Sequence, residues 1–283
     1  MAKQPHNEHE LELALTRFAG SNIAAVECRD VMAGVVLGQM LPPGTVVKGG
    51  TSMRLRLGPG NSRVTVDFDT ARNMELDEYI KILRKRLEDG WCDFTGEVFI
   101  RKQGTPAGIP FEYIMQPIDV KLSYRHHPWC TIRLEVGHNE LGDADEIETK
   151  DLPQRIKDIF AALNFPEPNS IPLMPIPFQI AQKLHGVSQP GSSRVRDLID
   201  LQLIVENEKV DYAKTCDICH RLFKYRRMNE WPPRVEKGNL WDRIYAVQRG
   251  DLPVLPNCDE AVDFVNRLIW KIEQSQEALE SDG

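Results

Sequence analysis

The sequence predicts an α+β protein, in which a mixed sheet with helices is followed by a helical lobe. Apolar and polar residues alternate at 64–69, 118–124 and 131–136, and a period of two is the pattern of a half-buried strand. Between the first two of these segments, 75–88 carries apolar residues at helical spacing. After Asp145 most segments have the helical period, which predicts a change of architecture there.

These elements divide the chain into three predicted parts. N-terminal helices occupy 1–43 and are expected to pack on a domain at 44–150 that carries the sheet, and a helical domain fills 151–283. Two helices are predicted in the first part, at 8–18 and 23–40, and the Pro-Pro-Gly run that follows the second helix ends it.

The composition is that of an ordinary globular protein, and it argues against several other classes. The 283 residues carry a formal net charge of −7 and contain no apolar run long enough for a membrane span, so no membrane contact is expected. The polar start of the chain has no signal peptide, which predicts a cytoplasmic location. The six cysteines are scattered and are expected to be reduced thiols.

One segment contains a known cofactor-attachment pattern. Cys216, Cys219 and His220 match the Cys-x-x-Cys-His spacing of haem attachment, and the same residue types bind zinc. The segment is predicted to be helical, and neither a second Cys-x-x-Cys pair nor an export signal accompanies it. We therefore interpret it as a helix whose cysteines pack inwards or face solvent.

Two carboxylates on one strand are the strongest functional signal. Asp67 and Asp69 are two residues apart in the predicted strand at 64–69, so both side chains point to the same face. They repel each other unless a cation lies between them, and Mg²⁺ prefers carboxylate and phosphate oxygens. Glu135, on another predicted strand, is the preferred third carboxylate, and Asp119 is its rival.

A glycine pair upstream predicts a phosphate site. A short strand at 46–47 leads into Gly49 and Gly50, and a helix at 51–57 is expected to have Thr51 as its N-cap. Backbone N–H groups at such a helix start bind anions, and a phosphate site beside a metal site suggests nucleotide chemistry. Two arginines are candidates for further phosphate contacts, with surface roles as the alternative: Arg54 and Arg63.

The helical lobe carries a lysine and two aspartates in predicted helices. Lys183 lies among apolar residues, so it either snorkels or extends across a cleft to a triphosphate. Asp197 and Asp200 are three residues apart on one face of a helix at 193–206, where a local salt-bridge face is the alternative. The segment at 170–177 holds three prolines and is predicted to be a linker or hinge.

The order of these motifs resembles that of the AbiEii/AbiGii nucleotidyltransferase toxins, the toxin halves of abortive-infection toxin–antitoxin pairs, which include the MenT enzymes. The chain carries Gly-Gly-Thr at 49–51, Arg-x-Thr-x-Asp-x-Asp at 63–69, a helical Lys-Leu at 183–184 and Arg-Asp-Leu-Ile-Asp-Leu at 196–201. The similarity extends from about residue 44 to 270. One departure is the distance of sixteen residues between the glycines and the first aspartate, which predicts a longer turn.

The resemblance implies a polymerase-β-like nucleotidyltransferase lobe followed by a helical lobe, with Mg²⁺ bound by Asp67 and Asp69. With the residues above, the candidate catalytic residues are Asp67, Asp69, Glu135, Lys183 and either Asp197 or Asp200. The candidate nucleotide-binding residues are Gly49, Gly50, Thr51, Arg54 and Arg63.

The resemblance also implies an enzyme that uses an NTP. MenT-type relatives add nucleotides to the 3′ end of tRNA, so we expect transfer of NMP to an acceptor hydroxyl, with tRNA as the acceptor and translation as the blocked process. A cognate antitoxin is the expected partner. Two alternatives stay open: the same fold nucleotidylates or phosphorylates a protein, or the chain is a catalytically inactive relative that binds a partner.

Overall fold

The structure is a computed structural model that describes residues 3–104 and 114–281, the last six side chains of the second range excepted. The described residues group into two units. The first comprises the residues up to Pro59 together with Val64–Met174, and the second comprises Gly60–Arg63 and the residues from Pro175 onward. The predicted three-part division of the chain, at 1–43, 44–150 and 151–283, stays a prediction.

Within the described residues, the first unit contains five helices and seven strands, and the second contains five helices. The helices of the first unit are α1 (Glu8–Ala19), α2 (Asn22–Gln39), α3 (Gly49–Leu57), α4 (Leu76–Asp89) and α5 (Gln154–Ala162). Its strands are β1 (Thr45–Val47), β2 (Asp67–Arg72), β3 (Phe94–Ile100), β4 (Gln116–Tyr124), β5 (His127–His138), β6 (Glu148–Lys150) and β7 (Ile171–Leu173). The helices of the second unit are α6 (Ile176–Val187), α7 (Arg196–Asn207), α8 (Tyr212–Arg226), α9 (Trp241–Arg249) and α10 (Cys258–Ser281).

A mixed sheet forms the framework of the first unit, with its described strands in the order β3-β4-β5-β2-β1-β7-β6. β2 runs parallel to β5 and β1 runs parallel to β7, whereas the other neighbouring pairs are antiparallel. The sheet is thus mixed and accompanied by helices, as the sequence predicts. Its central parallel pair, β2 and β5, carries the acidic residues singled out in the sequence.

The N-terminal helices pack on this sheet through apolar side chains. Leu15 of α1 and Val35 of α2 belong to one buried core with Phe68 of β2. Phe68 projects from the opposite side of β2 to Asp67 and Asp69, so its burial fixes the direction of both aspartates. Burying a side chain of this size contributes about 1.5–3 kcal/mol, which makes a slipped register costly.

β2 begins at Asp67, three residues later than predicted, and extends to Arg72. The expected burial of Val64 and Val66 is wrong, because these residues are 64% and 75% exposed. The reason is strand pairing: the neighbours β1 and β5 supply partners only within residues 67–72. The two valines continue the alternating pattern in sequence but have no sheet to face.

Two further expectations need correction. α3 begins at Gly49, so Thr51 lies inside the first turn and is not the N-cap; Lys48 takes that position without a capping hydrogen bond from its side chain. The predicted linker at 170–177 contains β7, which pairs with β1 and β6 although Pro172 lies in it. A strand of three residues is too short to show a period of two among three prolines.

The helices of the second unit pack through broad buried faces. α6 contacts α7 and α8, and α10 contacts α7, α8 and α9. α6 is central, since eleven of its twelve residues are buried, among them Lys183 and His185. A lysine at such a position is costly unless its charge is paired.

Candidate functional site

Asp67, Asp69 and Glu135 share one face of the sheet on the parallel strands β2 and β5. The register places Asp69 beside Glu135 and Asp67 beside Arg133. Residues paired in this way point to the same face, and residues two apart along a strand do so as well. The fold therefore gathers three carboxylates from segments that lie far apart in the sequence.

The alternative third carboxylate, Asp119, lies one strand further away. Asp119 is on β4, where it is paired with Arg133 of β5, and its carboxylate accepts a hydrogen bond of 3.0 Å from Arg101. Glu135, by contrast, is the direct neighbour of Asp69 across the strand pair. Glu135 is thus closer than Asp119 to the aspartate pair, and its role as the third carboxylate stays a prediction.

The three carboxylates repel one another. Burial raises the pKa of Glu135, and the charges of Asp69 and Asp67 raise it further. A cation between the carboxylates would offset this repulsion. Carboxylate oxygens on one face are the donors that hard divalent ions take, so these residues fit a divalent metal ion.

Gly49 brings the start of α3 against Asp69. Its φ angle is +65°, and a Cβ atom there would lie 2.2 Å from Oδ2 of Asp69. Both the backbone conformation and the close approach therefore require glycine. The backbone N–H of Lys48 also donates to the carbonyl of Asp69 at 2.8 Å, which ties the helix start to the strand.

The first turn of α3 offers N–H groups to an anion. The N–H groups of Gly49, Gly50 and Thr51 have no acceptor inside the helix, because the ladder begins with the bond from Ser52 to the carbonyl of Lys48. The side chain of Lys48 does not cap them. Helix starts of this kind bind phosphate, and this one adjoins the three carboxylates.

The side chains of Thr51 and Arg54 have partners within the first unit. The Thr51 hydroxyl donates to the carbonyl of Asp67 at 2.7 Å and so holds the beginning of β2. Arg54 is only 5% exposed, and its guanidinium lies 3.2 Å from Glu27. Thr51, Arg54 and Asp67 line a cavity of about 540 Å³. Both side chains therefore have a structural role whether or not a nucleotide is bound.

In the second unit, Lys183, Asp197 and Asp200 form a buried ion-pair network. Nζ of Lys183 lies 2.5 Å from Asp200 and 3.3 Å from Asp197. Arg63 donates two bonds to Asp200, at 2.9 and 3.0 Å, and Arg194 donates one to Asp197 at 2.5 Å. All of these residues except Arg194 are at most 8% exposed. The helical motif residues of the sequence are thus brought together, and Arg63 joins them.

Asp200 is the centre of this network. Burial alone would raise its pKa, but the charges and hydrogen bonds of Lys183 and Arg63 outweigh burial and hold the pKa below its usual range. Asp200 is therefore ionised at neutral pH and fixes both cations. The pairing of Arg63 with Asp200 was not foreseen from the sequence, where Arg63 is expected to bind phosphate.

Residues 39–273 match the family model of the nucleotidyl transferase AbiEii toxin of type IV toxin–antitoxin systems. The chain belongs to the AbiEii nucleotidyltransferase toxin family. The resemblance drawn from the order of the motifs is confirmed, and with it the prediction of an enzyme. The carboxylates, the glycine turn and the buried lysine network all lie within the matched residues.

A solved nucleotidyltransferase toxin structure has the same fold. MenT4, a nucleotidyltransferase toxin from Mycobacterium tuberculosis H37Rv, matches with a TM-score of 0.54 over 94% of this chain and 98% of that chain. The sequences are 17% identical. The likeness confirms the predicted fold class, a nucleotidyltransferase lobe with a mixed sheet followed by helices. No curated protein matches the chain in sequence.

Membership of the AbiEii family has three general consequences. Nucleotidyltransferases of this kind use divalent metal ions and nucleoside triphosphates, and as toxins they are controlled by antitoxins. The carboxylates of β2 and β5 provide a donor set for such an ion.

Across residues 3–104 and 114–281, no helix combines the length and the apolar character needed to cross a membrane.

Lys48 is a candidate AbiEii site residue that the sequence reasoning missed. Its Nζ lies 3.0 Å from the position that a Cβ on Gly137 would take, so the ammonium group lies over the backbone of β5. Gly137 is two residues from Glu135, on the same face of the strand. The sequence does indicate this residue, because Lys48 stands between a predicted strand and the glycine pair. A cation at that position strengthens anion binding by the N–H groups at the helix start.

Proposed function

We propose that this toxin transfers NMP from an NTP to the 3′ end of tRNA with Mg²⁺ as its metal ion, and so blocks translation. One observation carries the proposal: the start of α3 lies against Asp69, which is itself paired with Glu135. The proposed metal ligands and the proposed phosphate-binding amides are thus adjacent, which supports phosphoryl-type transfer.

Asp67 and Asp69 would hold the Mg²⁺ ion, with Glu135 as the third carboxylate. Mg²⁺ takes oxygen ligands and retains positions for phosphate oxygens of a substrate. When bound, the ion would neutralise charge on the phosphates and on the reacting oxygens. Thr51 supports the arrangement, because its hydroxyl fixes the carbonyl of Asp67 and with it the start of β2.

The amides of Gly49, Gly50 and Thr51 would bind the phosphates of the NTP. In the reaction, the oxygen of the acceptor hydroxyl forms a bond to the α-phosphorus and its proton passes to solvent, while the bond from that phosphorus to the pyrophosphate oxygen breaks. The amides, together with Lys48, would stabilise the pyrophosphate as it leaves. Most of the rate gain then comes from placement and from charge stabilisation in a fixed site.

We infer from the order of the motifs that Lys183 contacts the triphosphate and that Asp200 positions it. Asp200 binds Lys183 and Arg63 together, so the loss of its charge would release two cations at once. Asp197 binds Lys183 more distantly. We therefore infer that Asp200 is the essential acid of this motif and that it acts through Lys183.

The proposed nucleotide contacts of Arg54 and Arg63 stay predictions. Each guanidinium already has a carboxylate partner: Glu27 for Arg54 and Asp200 for Arg63. A role of Arg63 in nucleotide binding would have to be compatible with its buried pair, which is costly to break, whereas the side chain of Glu27 is 31% exposed.

Incubation with each labelled NTP and total RNA tests the proposal. Asp67→Asn and Asp69→Asn keep the shape of the side chain and remove its charge, so each is expected to lower transfer to RNA at least about 100-fold. Asp119→Asn, on β4 and separated from β2 by β5, is the matched control and is expected to keep transfer. Full transfer in either of the first two variants would rule out the metal role of that residue.

The destination of the label separates the acceptors. Label in tRNA supports the proposal, whereas label in protein favours modification of a protein. In that case α-labelled ATP reports nucleotidylation of the protein, and γ-labelled ATP reports its phosphorylation. Label in neither, with every NTP, would contradict the proposed reaction. Glu135→Gln and Asp119→Asn together identify the third carboxylate. Only the variant that removes the third carboxylate should reduce transfer, and we expect this to be Glu135→Gln.

We further propose that the toxin acts in the cytoplasm, where its tRNA acceptor is found, and that a neighbouring gene encodes its antitoxin. Induced expression of the wild-type chain is expected to stop growth, and Asp69→Asn is expected to abolish this effect at equal protein level. Co-expression of the neighbouring gene should restore growth. Growth arrest by Asp69→Asn would separate toxicity from nucleotide transfer.

A further inference from the structure

Three side chains that commonly bind metals meet between α8 and α10 of the second unit. One ligand atom from each of Cys216, His220 and Glu273 lies within 4.8 Å of the other two. Cys216 and His220 are four residues apart and therefore lie on one face of α8. Glu273 comes from α10, 57 residues after Cys216, so no local pattern in the sequence includes it.

Two of the three ligand-atom separations match those of a tetrahedral metal site. Oε2 of Glu273 lies 3.6 Å from Sγ of Cys216 and 3.4 Å from Nε2 of His220. For a tetrahedral ion with Zn–S of about 2.3 Å and Zn–N or Zn–O of about 2.0 Å, neighbouring ligand atoms are about 3.3–3.5 Å apart. The ligand atoms of Cys216 and His220 lie within 4.8 Å of each other, so all three atoms are within reach of one ion.

We propose that Cys216, His220 and Glu273 bind a Zn²⁺ ion that links α8 to α10. One sulfur, one imidazole nitrogen and one carboxylate oxygen suit zinc, whereas Mg²⁺ prefers oxygen ligands alone. The site is thus distinct in chemistry from the carboxylates of the first unit. The described residues provide these three ligands, and water completes the tetrahedron.

The surroundings support the site. Nε1 of Trp231 donates a hydrogen bond of 2.5 Å to Oε2 of Glu273, and such partners orient ligands in metal centres. His220 and Trp231 also line an open cavity of about 910 Å³, which gives an ion a path from solvent. Cys216 is buried, whereas His220 is 44% exposed in its side chain, so the ligands span the boundary between interior and cavity.

The alternative is a hydrogen-bonded cluster without metal, in which Glu273 accepts bonds from the Cys216 thiol and from Trp231. Metal binding replaces the thiol proton, which is released to solvent, by the ion. Titration of the full, untagged chain with Co²⁺ alone, after treatment with a chelator, separates the two. We expect a thiolate-to-cobalt charge-transfer absorption, which the sulfur-free carboxylates of the first unit cannot produce, and its loss on addition of Zn²⁺.

Variants assign the ligands. Cys216→Ala and Glu273→Gln are expected to abolish the absorption, and glutamine keeps an acceptor for Trp231 so that this variant stays folded. Trp231→Phe removes only the supporting hydrogen bond and is expected to weaken Co²⁺ binding about 10- to 100-fold. Cys219→Ala, a buried cysteine on the same helix, is the matched control and should retain the absorption.

Zn²⁺ is also expected to raise the Tm of the wild-type chain and not that of Glu273→Gln, because an ion that binds only the folded state stabilises it. The inference is overturned if the wild-type chain shows no thiolate-to-cobalt absorption, or if the absorption persists in Cys216→Ala. Loss of the absorption in Cys219→Ala would likewise overturn the proposed ligand set.

Discussion

Gly49 is the residue at which a single added carbon would disturb the proposed site most directly. In Gly49→Ala the Cβ would lie 2.2 Å from Oδ2 of Asp69, and the positive φ would remain. The backbone strain alone costs about 1–2 kcal/mol. Because Asp69 must move, we expect nucleotide transfer to fall by up to about 100-fold, the loss that a misplacement of about 1 Å can cause. Urea unfolding and the labelled-NTP assay measure the two effects.

Gly20 provides the control for this substitution. Its φ is +76°, and a Cβ there would meet nothing within 4 Å. Gly20→Ala should therefore carry the backbone strain alone and leave transfer unchanged. Transfer at the wild-type level in Gly49→Ala would show that the contact between α3 and Asp69 does not set the geometry of the site.

Asp200 permits a prediction about pH. Its pKa lies below the usual value of 3.8, because Lys183 and Arg63 outweigh the effect of burial. A lowered pKa means that the stabilisation by the ionised group is present above pH 3.8 and is lost as pH falls through the folded-state pKa. Asp200→Asn is expected to lower the free energy of unfolding by about 3–5 kcal/mol at pH 7.

The deficit of Asp200→Asn should shrink below pH 3.8, since the carboxylate then binds a proton in the unfolded chain before it does so in the folded one. Urea unfolding of both proteins at pH 7 and at a series of acidic pH values measures the difference. A deficit that stays constant over the whole series would mean that the charge of Asp200 is not what stabilises the second unit.

At the scale of elements, the sequence reveals long segments and misses short ones. The pattern predicts a helix at 75–88, and α4 is found at Leu76–Asp89, because its apolar stripe repeats over several turns. The segment that contains β7 has the composition of a linker, since a strand of three residues cannot show a period. The predicted start of β2 is too early, because Val64 and Val66 prolong the alternation beyond the paired residues.

The junction of α3 and β2 is an element-scale feature with a testable consequence. The Thr51 hydroxyl donates its one proton to the carbonyl of Asp67, so it has no second proton for a phosphate. Thr51→Val keeps the shape of the side chain and removes this bond, at a cost of about 0.5–1.5 kcal/mol. We expect kcat to fall because Asp67 loses its support, while the KM for NTP changes little.

Thr51→Ser keeps the hydroxyl and is expected to retain most of the activity. Steady-state kinetics of both variants against NTP concentration separates the two roles of the residue. A large rise in KM with kcat unchanged in Thr51→Val would mean that the hydroxyl contacts the nucleotide directly, as the motif resemblance suggests.

At the scale of the whole molecule, the two units are not consecutive in sequence. Gly60–Arg63 belongs to the second unit, although the residues on both sides belong to the first. Arg63 pairs with Asp200, which lies 137 residues later, and no local pattern can reveal a partner at that distance. The same limit explains why the sequence showed Cys216 and His220 without Glu273.

Two buried arginines test this division of the chain. Arg63 binds Asp200 in the second unit, whereas Arg56, seven residues earlier, binds Glu148 and the carbonyl of Met174 in the first. Amide hydrogen exchange is expected to accelerate in α6 and α7 for Arg63→Ala, and in β6 and β7 for Arg56→Ala, because each loss opens the unit that contains the pair. If amide exchange accelerated equally in β2 and α7 of Arg63→Ala, the assignment of Gly60–Arg63 to the second unit would be contradicted.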